Sequence, residues 1–242
     1  ETNITVDGNR LPCVNGFEYL GLPIGNHKFM SDFIEDKWKK VERSFYSLYG
    51  LGVKPSISNP SLIVFLFKQY CQSIFRHVLD NIRIPCSMLK EFDSRQSMII
   101  KRMIGLKKFT HTTPLNEALN LESVSQIYYK HKIFFLEQLT RDPGCYELFS
   151  YMRENETFSK KNTSFCAQLN VLEDRLYINC LDYQPKMVKT LIEFSFKSLN
   201  TGLVDSIRFV INKINHRVNE EFNIFFCYSL LNGLLRVDFA QV

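Results

Sequence analysis

Between Ser94 and Asn116 the chain carries Arg95, Lys101, Arg102, Lys107 and Lys108 and not one acidic residue. Fixed positive charge at that density suits a phosphate backbone, because each neutralised phosphate releases counterions and makes binding depend on salt. A second group, Lys39, Lys40 and Arg43, lies on a helical segment whose apolar residues fall on another side of the wheel, so these three can follow a duplex. The competing reading of both groups is a solvated helix face.

Motifs for bond-making chemistry are missing from the sequence. There is no Gly-x-Gly-x-x-Gly, P-loop, Gly-x-Ser-x-Gly or His-Glu-x-x-His. Glu173 and Asp174 are adjacent, but neighbouring helix positions point in different directions and make no acid/base pair. Seven cysteines, at 13, 71, 86, 145, 166, 180 and 227, have neither C-x-x-C nor Cys/His zinc spacing. Their odd number and scatter predict free thiols in a reducing compartment.

With 242 residues and 45% apolar content, the chain is long enough for one large or two modest folded domains. Its charge is uneven: residues 1–140 hold 18 Lys/Arg against 13 Asp/Glu, whereas residues 141–242 hold 12 of each. All of the excess positive charge therefore lies in residues 1–140, the part of the chain that holds the two candidate groups. Apolar runs such as Leu62 to Phe67 fall far short of the roughly 20 residues that cross a bilayer. No targeting segment is visible, which predicts an intracellular protein of the cytoplasm or nucleus with no membrane partner.

The elements that must position these cations follow from periodicity. Asp7-Gly8 between short apolar runs predicts a hairpin, and Phe17 to Ile24 predicts an extended segment punctuated by Gly21, Pro23 and Gly25. A first helix is expected from Asp32, capped with Glu35, to Gly50 or Gly52. Its residues Ile34, Trp38, Val41, Phe45 and Leu48 are spaced 4, 3, 4, 3 and form one buried stripe. Asn59-Pro60 opens a second helix running to about Asp80, with Leu62 to Phe67 buried on several sides. The third, Ser87 to Ile104, buries Leu89, Phe92, Ile99, Ile100 and Met103 and stops at Gly105. On its wheel Arg95 and Arg102 share a margin while Lys101 lies opposite, so one of these cations at least is a bystander. A short helix begins at Thr113-Pro114, and another spans Ser123 to Thr140 with Val124, Ile127, Tyr128, Phe135 and Leu139 inward and His131 among them. Breaks are expected at Arg141 to Gly144 and Asn155 to Ser164, with further helical periodicity at 165–178, 187–199, 203–214 and 222–235.

The stretch Phe17-Glu18-Tyr19-Leu20-Gly21 resembles the F-x-Y-L-G strand that joins palm to thumb in reverse transcriptases of non-LTR retrotransposons. Lys101 to Leu106, then Thr113-Pro114-Leu115, then Ile127 to Leu139 is similar to the helices that follow in that family. The resemblance covers residues 1–140. It implies a β element over 1–30, a thumb-like helical domain over 31–140 and a helical extension over 141–242. It also implies that Tyr19 and Gly21 contact the primer. In the family, two metals are bridged by palm carboxylates, two of them adjacent in an Asp-Asp turn, and no Asp-Asp pair occurs here.

The expectation is therefore a mainly α-helical bundle with a small amino-terminal β element. It would grip a hybrid of RNA and DNA beside an upstream palm, hold no cofactor of its own, and be inactive in isolation. Divalent metal would belong only to that palm. The alternatives are a domesticated remnant that binds a protein through its helices, or a helix-turn-helix-like DNA binder using the helix at Ser87 to Ile104.

Overall fold

The structure, a computed structural model, describes residues 5–6, 9–10, 14–55, 57–76, 78–79, 82–155 and 165–222. It is mainly α-helical, with two short antiparallel hairpins at the amino end. In the first, β1 (Thr5–Val6) pairs with β2 (Asn9–Arg10); the Asp7-Gly8 turn between them lies outside the described residues. In the second, β3 (Gly16–Tyr19) pairs with β4 (Leu22–Gly25), Tyr19 opposite Leu22. The two linking residues, Leu20 and Gly21, have φ of 49° and 82°. That is the positive-φ pair of a type I′ turn, whose twist matches the strands. Gly21 adopts it freely, whereas the Cβ of Leu20 makes it cost about 1 kcal/mol. At the open end the strands touch closely: a Cβ on Gly25 would stand 2.6 Å from the Cα of Gly16.

Helix α1 (His27–Ser47) starts five residues before the expected Asp32, because the side chain of Asn26 accepts the backbone N–H of Phe29 at 2.9 Å. Glu35 is consequently free of any capping role. The spaced stripe is buried as expected, Ile34, Trp38, Val41, Phe45 and Leu48 all lying in the core. A 3-10 turn, Leu48–Leu51, ends the segment.

Asn59 caps α2 (Pro60–Leu66) by accepting the N–H groups of Ser61 and Leu62. The helix then widens into a π turn, Phe67–Gln72, and resumes as α3 (Ser73–Arg76). Asp80, the expected end, lies outside the described residues. Ile63, Val64, Leu66 and Phe67 are buried, but Phe65 is 56% exposed. Six consecutive apolar residues span more than a full turn, and the core covers only part of that circumference. Ser44 Oγ of α1 donates to the carbonyl oxygen of Tyr70 at 3.1 Å, tying the π turn to the first helix.

Helix α4 (Cys86–Ile104) buries all five residues expected of it and stops at Gly105, whose φ is 82°. Then come α5 (Thr112–Ala118) and α6 (Val124–Arg141), the latter capped by the Ser123 hydroxyl. Val124, Ile127 and Tyr128 of α6 are buried as expected, but further along the helix the inward face turns to Ile133 and Leu136, leaving Phe135, Leu139 and His131 half-buried. Lys132 is buried too, its Nζ donating to the carbonyl oxygen of Ile82 at 2.9 Å and lying 5.0 Å over the Tyr128 ring. The expected break falls at Asp142, whose carboxylate caps α7 (Pro143–Glu154). Helices α8 (Phe165–Leu176), α9 (Pro185–Ser195) and α10 (Thr201–Phe222) follow, and the last periodic stretch lies outside the described residues from 223 onward.

One apolar core runs from Phe33 of α1 to Ile192 of α9, including Leu136, Phe149 and Leu169 on the two sides of the Asp142 break. A smaller cluster, Leu115, Ile207 and Ile211, seats α10 against α5. Among the described residues no helix is long and apolar enough to cross a membrane.

Candidate nucleic-acid interface

Helices α1 and α4 carry most of the cations singled out in the sequence. Trp38 stacks on Phe92 with ring centroids 4.7 Å apart, Glu42 meets Arg95 at 3.0 Å, and Tyr46 meets Arg102 at 3.3 Å. These contacts advance in step along both helices, so the two run in the same direction and their carboxyl ends lie side by side. A helix carboxyl end is the favoured place for cations.

The candidate residues divide into two sets. Arg95 is held by carboxylates: its guanidinium donates to Glu35 at 2.9 Å and Glu42 at 3.0 Å, with Glu91 at 3.6 Å. Burial pulls its pKa down, but the hydrogen bonds and charges of Glu42 and Glu35 outweigh this and leave it above the ordinary arginine value. Lys101 is 7% exposed, and its Nζ donates to the carbonyl oxygen of Lys108 at 3.3 Å and to Thr112 Oγ1 at 3.2 Å. Burial pushes its pKa below the usual lysine range. Arg95 therefore braces α4 against α1, and Lys101 braces the loop that follows α4. Neither presents a free charge to a duplex, which removes Arg95 and Lys101 from the candidate contacts; where the wheel called for at least one bystander on this helix, there are two.

The other set is exposed. Lys39 and Arg43 are four residues apart on α1 and Tyr46 is three further on, so they share one face. Arg102 joins that face from α4 through its hydrogen bond to the Tyr46 hydroxyl. The line from Lys39 to Tyr46 is about 10 Å long at 1.5 Å per residue. Lys40 is exposed beside it, and Lys107 and Lys108 lie just past the end of α4. Lys39 is also 3.3 Å from Asp36, a solvent-exposed pairing that phosphate can outcompete.

The β3–β4 hairpin leans on the same helix. Glu18 of β3 lies 3.6 Å from Lys37 of α1, and together with Phe33, Asp36, Lys39, Lys40 and Arg43 they line an open groove of about 280 Å³. Tyr19, 60% exposed, points to the strand face opposite Glu18, and Gly21 occupies the turn.

Two residues of this surface carry no motif that marks them in the sequence. Tyr46 joins the cations of α1 to Arg102. Phe109, 80% exposed, follows Lys107 and Lys108, with the Lys107 ammonium 5.7 Å from its ring centre. An exposed aromatic inside a basic loop is a platform on which a base can stack, and its only signal is its place directly after two lysines. Among the described residues no three His, Cys, Asp or Glu side chains gather as a metal site. No protein-family description, characterised protein or solved structure matches this chain.

Proposed function

We propose that this chain grips the sugar-phosphate backbone of a nucleic-acid duplex, an RNA/DNA hybrid, as the thumb and connector of a reverse transcriptase of the non-LTR retroelement kind. The observation that carries the reading is the exposed line Lys39, Arg43, Tyr46 and Arg102 across two parallel helices, flanked by Lys40, Lys107 and Lys108. Contacts of this type fix register on a duplex without reading its sequence. A hybrid of A-like form offers a wide, shallow minor groove along which such a helix face can lie. Tyr19 and Gly21 at the hairpin would meet the primer strand, and polymerisation itself would fall to a palm domain. Major-groove reading by α4 has less support, since Arg95 and Lys101 are spent on internal contacts.

The test is the Kd for an RNA/DNA hybrid as a function of salt. Binding should weaken steeply as salt rises and be indifferent to sequence. Arg43→Glu and Arg102→Glu should each flatten the slope of log K against log salt by about 0.9 for every phosphate that the variant leaves unneutralised. Failure to bind any hybrid at roughly 50 mM salt would end this reading.

A further inference from the structure

A cleft of about 550 Å³ opens where β4 and the first turns of α1 meet residues 83–85, α6 and α8. Its wall is mainly apolar, formed by Ile24, Met30, Ile34, Pro85, Phe135 and Phe165. The last two rings pack edge to face with centres 5.1 Å apart. None of the cations proposed to hold a duplex lines the cleft, and among the described residues no aspartate or glutamate does.

The polar groups of the wall are unevenly committed. Lys132 is buried and gives its ammonium to the carbonyl oxygen of Ile82, and Gln168 accepts the Tyr128 hydroxyl at 2.8 Å. Arg83 differs: it is half-buried, yet its guanidinium makes no hydrogen bond or ion pair with any described residue. On α1, His27 and Ser31 stand four residues apart on one face, and neither side chain has a hydrogen-bond partner among the described residues.

A guanidinium has five N–H donors and cannot shed its charge, so partial burial without an acceptor is costly. Its planar fork fits a carboxylate through two parallel hydrogen bonds. One unanswered positive charge is balanced by a monoanion; a phosphate dianion would exceed it, and the apolar wall offers nothing to the hydroxyls of a sugar. We propose that this cleft binds a monocarboxylate with an apolar tail, of the medium-chain fatty acid kind. The carboxylate would pair with Arg83 and accept the Ser31 hydroxyl, and the tail would lie against Met30, Phe135 and Phe165. The volume is that of a small-molecule site. It shares no residue with the duplex-gripping face, so either can fail without the other.

Isothermal titration of the full chain with octanoate, 1-octanol and acetate tests the assignment. Octanoate should bind with Kd below about 1 mM, and octanol, which has the tail without the charge, at least about tenfold more weakly. Acetate, which has the charge without the tail, should give no binding. Arg83→Gln should weaken octanoate by about tenfold and leave octanol unchanged. His27→Glu, at an exposed position, sets a negative charge beside the cleft and should act in the same direction, which keeps the test open if Arg83→Gln does not fold. No binding of octanoate, octanol or acetate binding as tightly as octanoate, or folded variants indistinguishable from the parent would overturn the proposal.

Discussion

The guanidinium of Arg95 donates to the carboxylate of Glu42 across 3.0 Å, joining two helices whose contact residues are 53 positions apart in sequence. The same oxygen, Oε1, also accepts the indole N–H of Trp38 at 2.9 Å. Arg95→Met would leave Glu35, Glu42 and Glu91 facing one another without their cation, at a cost of about 1–2 kcal/mol in stability. Its Kd for a hybrid should stay within about twofold of the parent, because the residue contributes no free charge. Urea denaturation and a binding isotherm together check this, and a large loss of binding with stability intact would return Arg95 to the interface.

Trp38 is the packing centre of the α1–α4 contact, 1% exposed, stacked on Phe92 and edge-on to Phe75 at 5.6 Å. Trp38→Ala should destabilise the fold by about 3–5 kcal/mol through the cavity it leaves. Trp38→Phe keeps a ring but loses the bond to Glu42, and should cost less than half as much. Denaturant midpoints of the two variants decide the order.

Burial holds the Asp93 carboxyl above the usual aspartate range, against the opposing pull of its hydrogen bonds from Ser125. A raised folded-state pKa means that the folded chain keeps this proton more tightly than the unfolded one. The contribution of Asp93 to stability therefore declines as pH rises from about 3.9, its unfolded value, through the folded value, and stays as a fixed cost above it. Asp93→Asn removes that cost, so the melting temperature of the variant relative to the parent should climb between about pH 4 and pH 7. A difference that is flat or falls across that interval contradicts the assignment.

Leu20 bears a positive φ of 49° at a turn position suited to asparagine. Leu20→Asn should stabilise the β3–β4 hairpin by about 1 kcal/mol. Amide hydrogen exchange in the hairpin should slow correspondingly, and unchanged rates would show that the turn stores no strain.

Local signals in the sequence place most helices correctly. The stripe from Ile34 to Leu48, the Asn59-Pro60 start and the Gly105 stop each depend on residues within one or two turns, and each is found where the pattern puts it. The start of α1 differs from expectation because Asn26 and Asp32 are both competent caps, and spacing alone does not choose between them. The candidate site is less legible. The acid-free run that begins at Ser94 looks like free charge until the fold brings Glu35 and Glu42 to Arg95 from another helix. Lys101 and Lys132 are hidden for the same reason, since carbonyl oxygens that accept a buried ammonium leave no mark in the side-chain sequence.

The π turn at Phe67–Gln72 sets the phase of everything after it in that segment. An extra residue per turn rotates the following side chains by about 100° relative to an uninterrupted α-helix. It is this offset that delivers Phe75 edge-on to both Trp38 and Phe92, and Gln72 to the buried amide of Gln96 at 3.1 Å. Trimming a single residue from the turn would leave composition and helicity almost untouched, yet swing the aromatic trio out of mesh, so this short stretch behaves as the timing gear of the bundle.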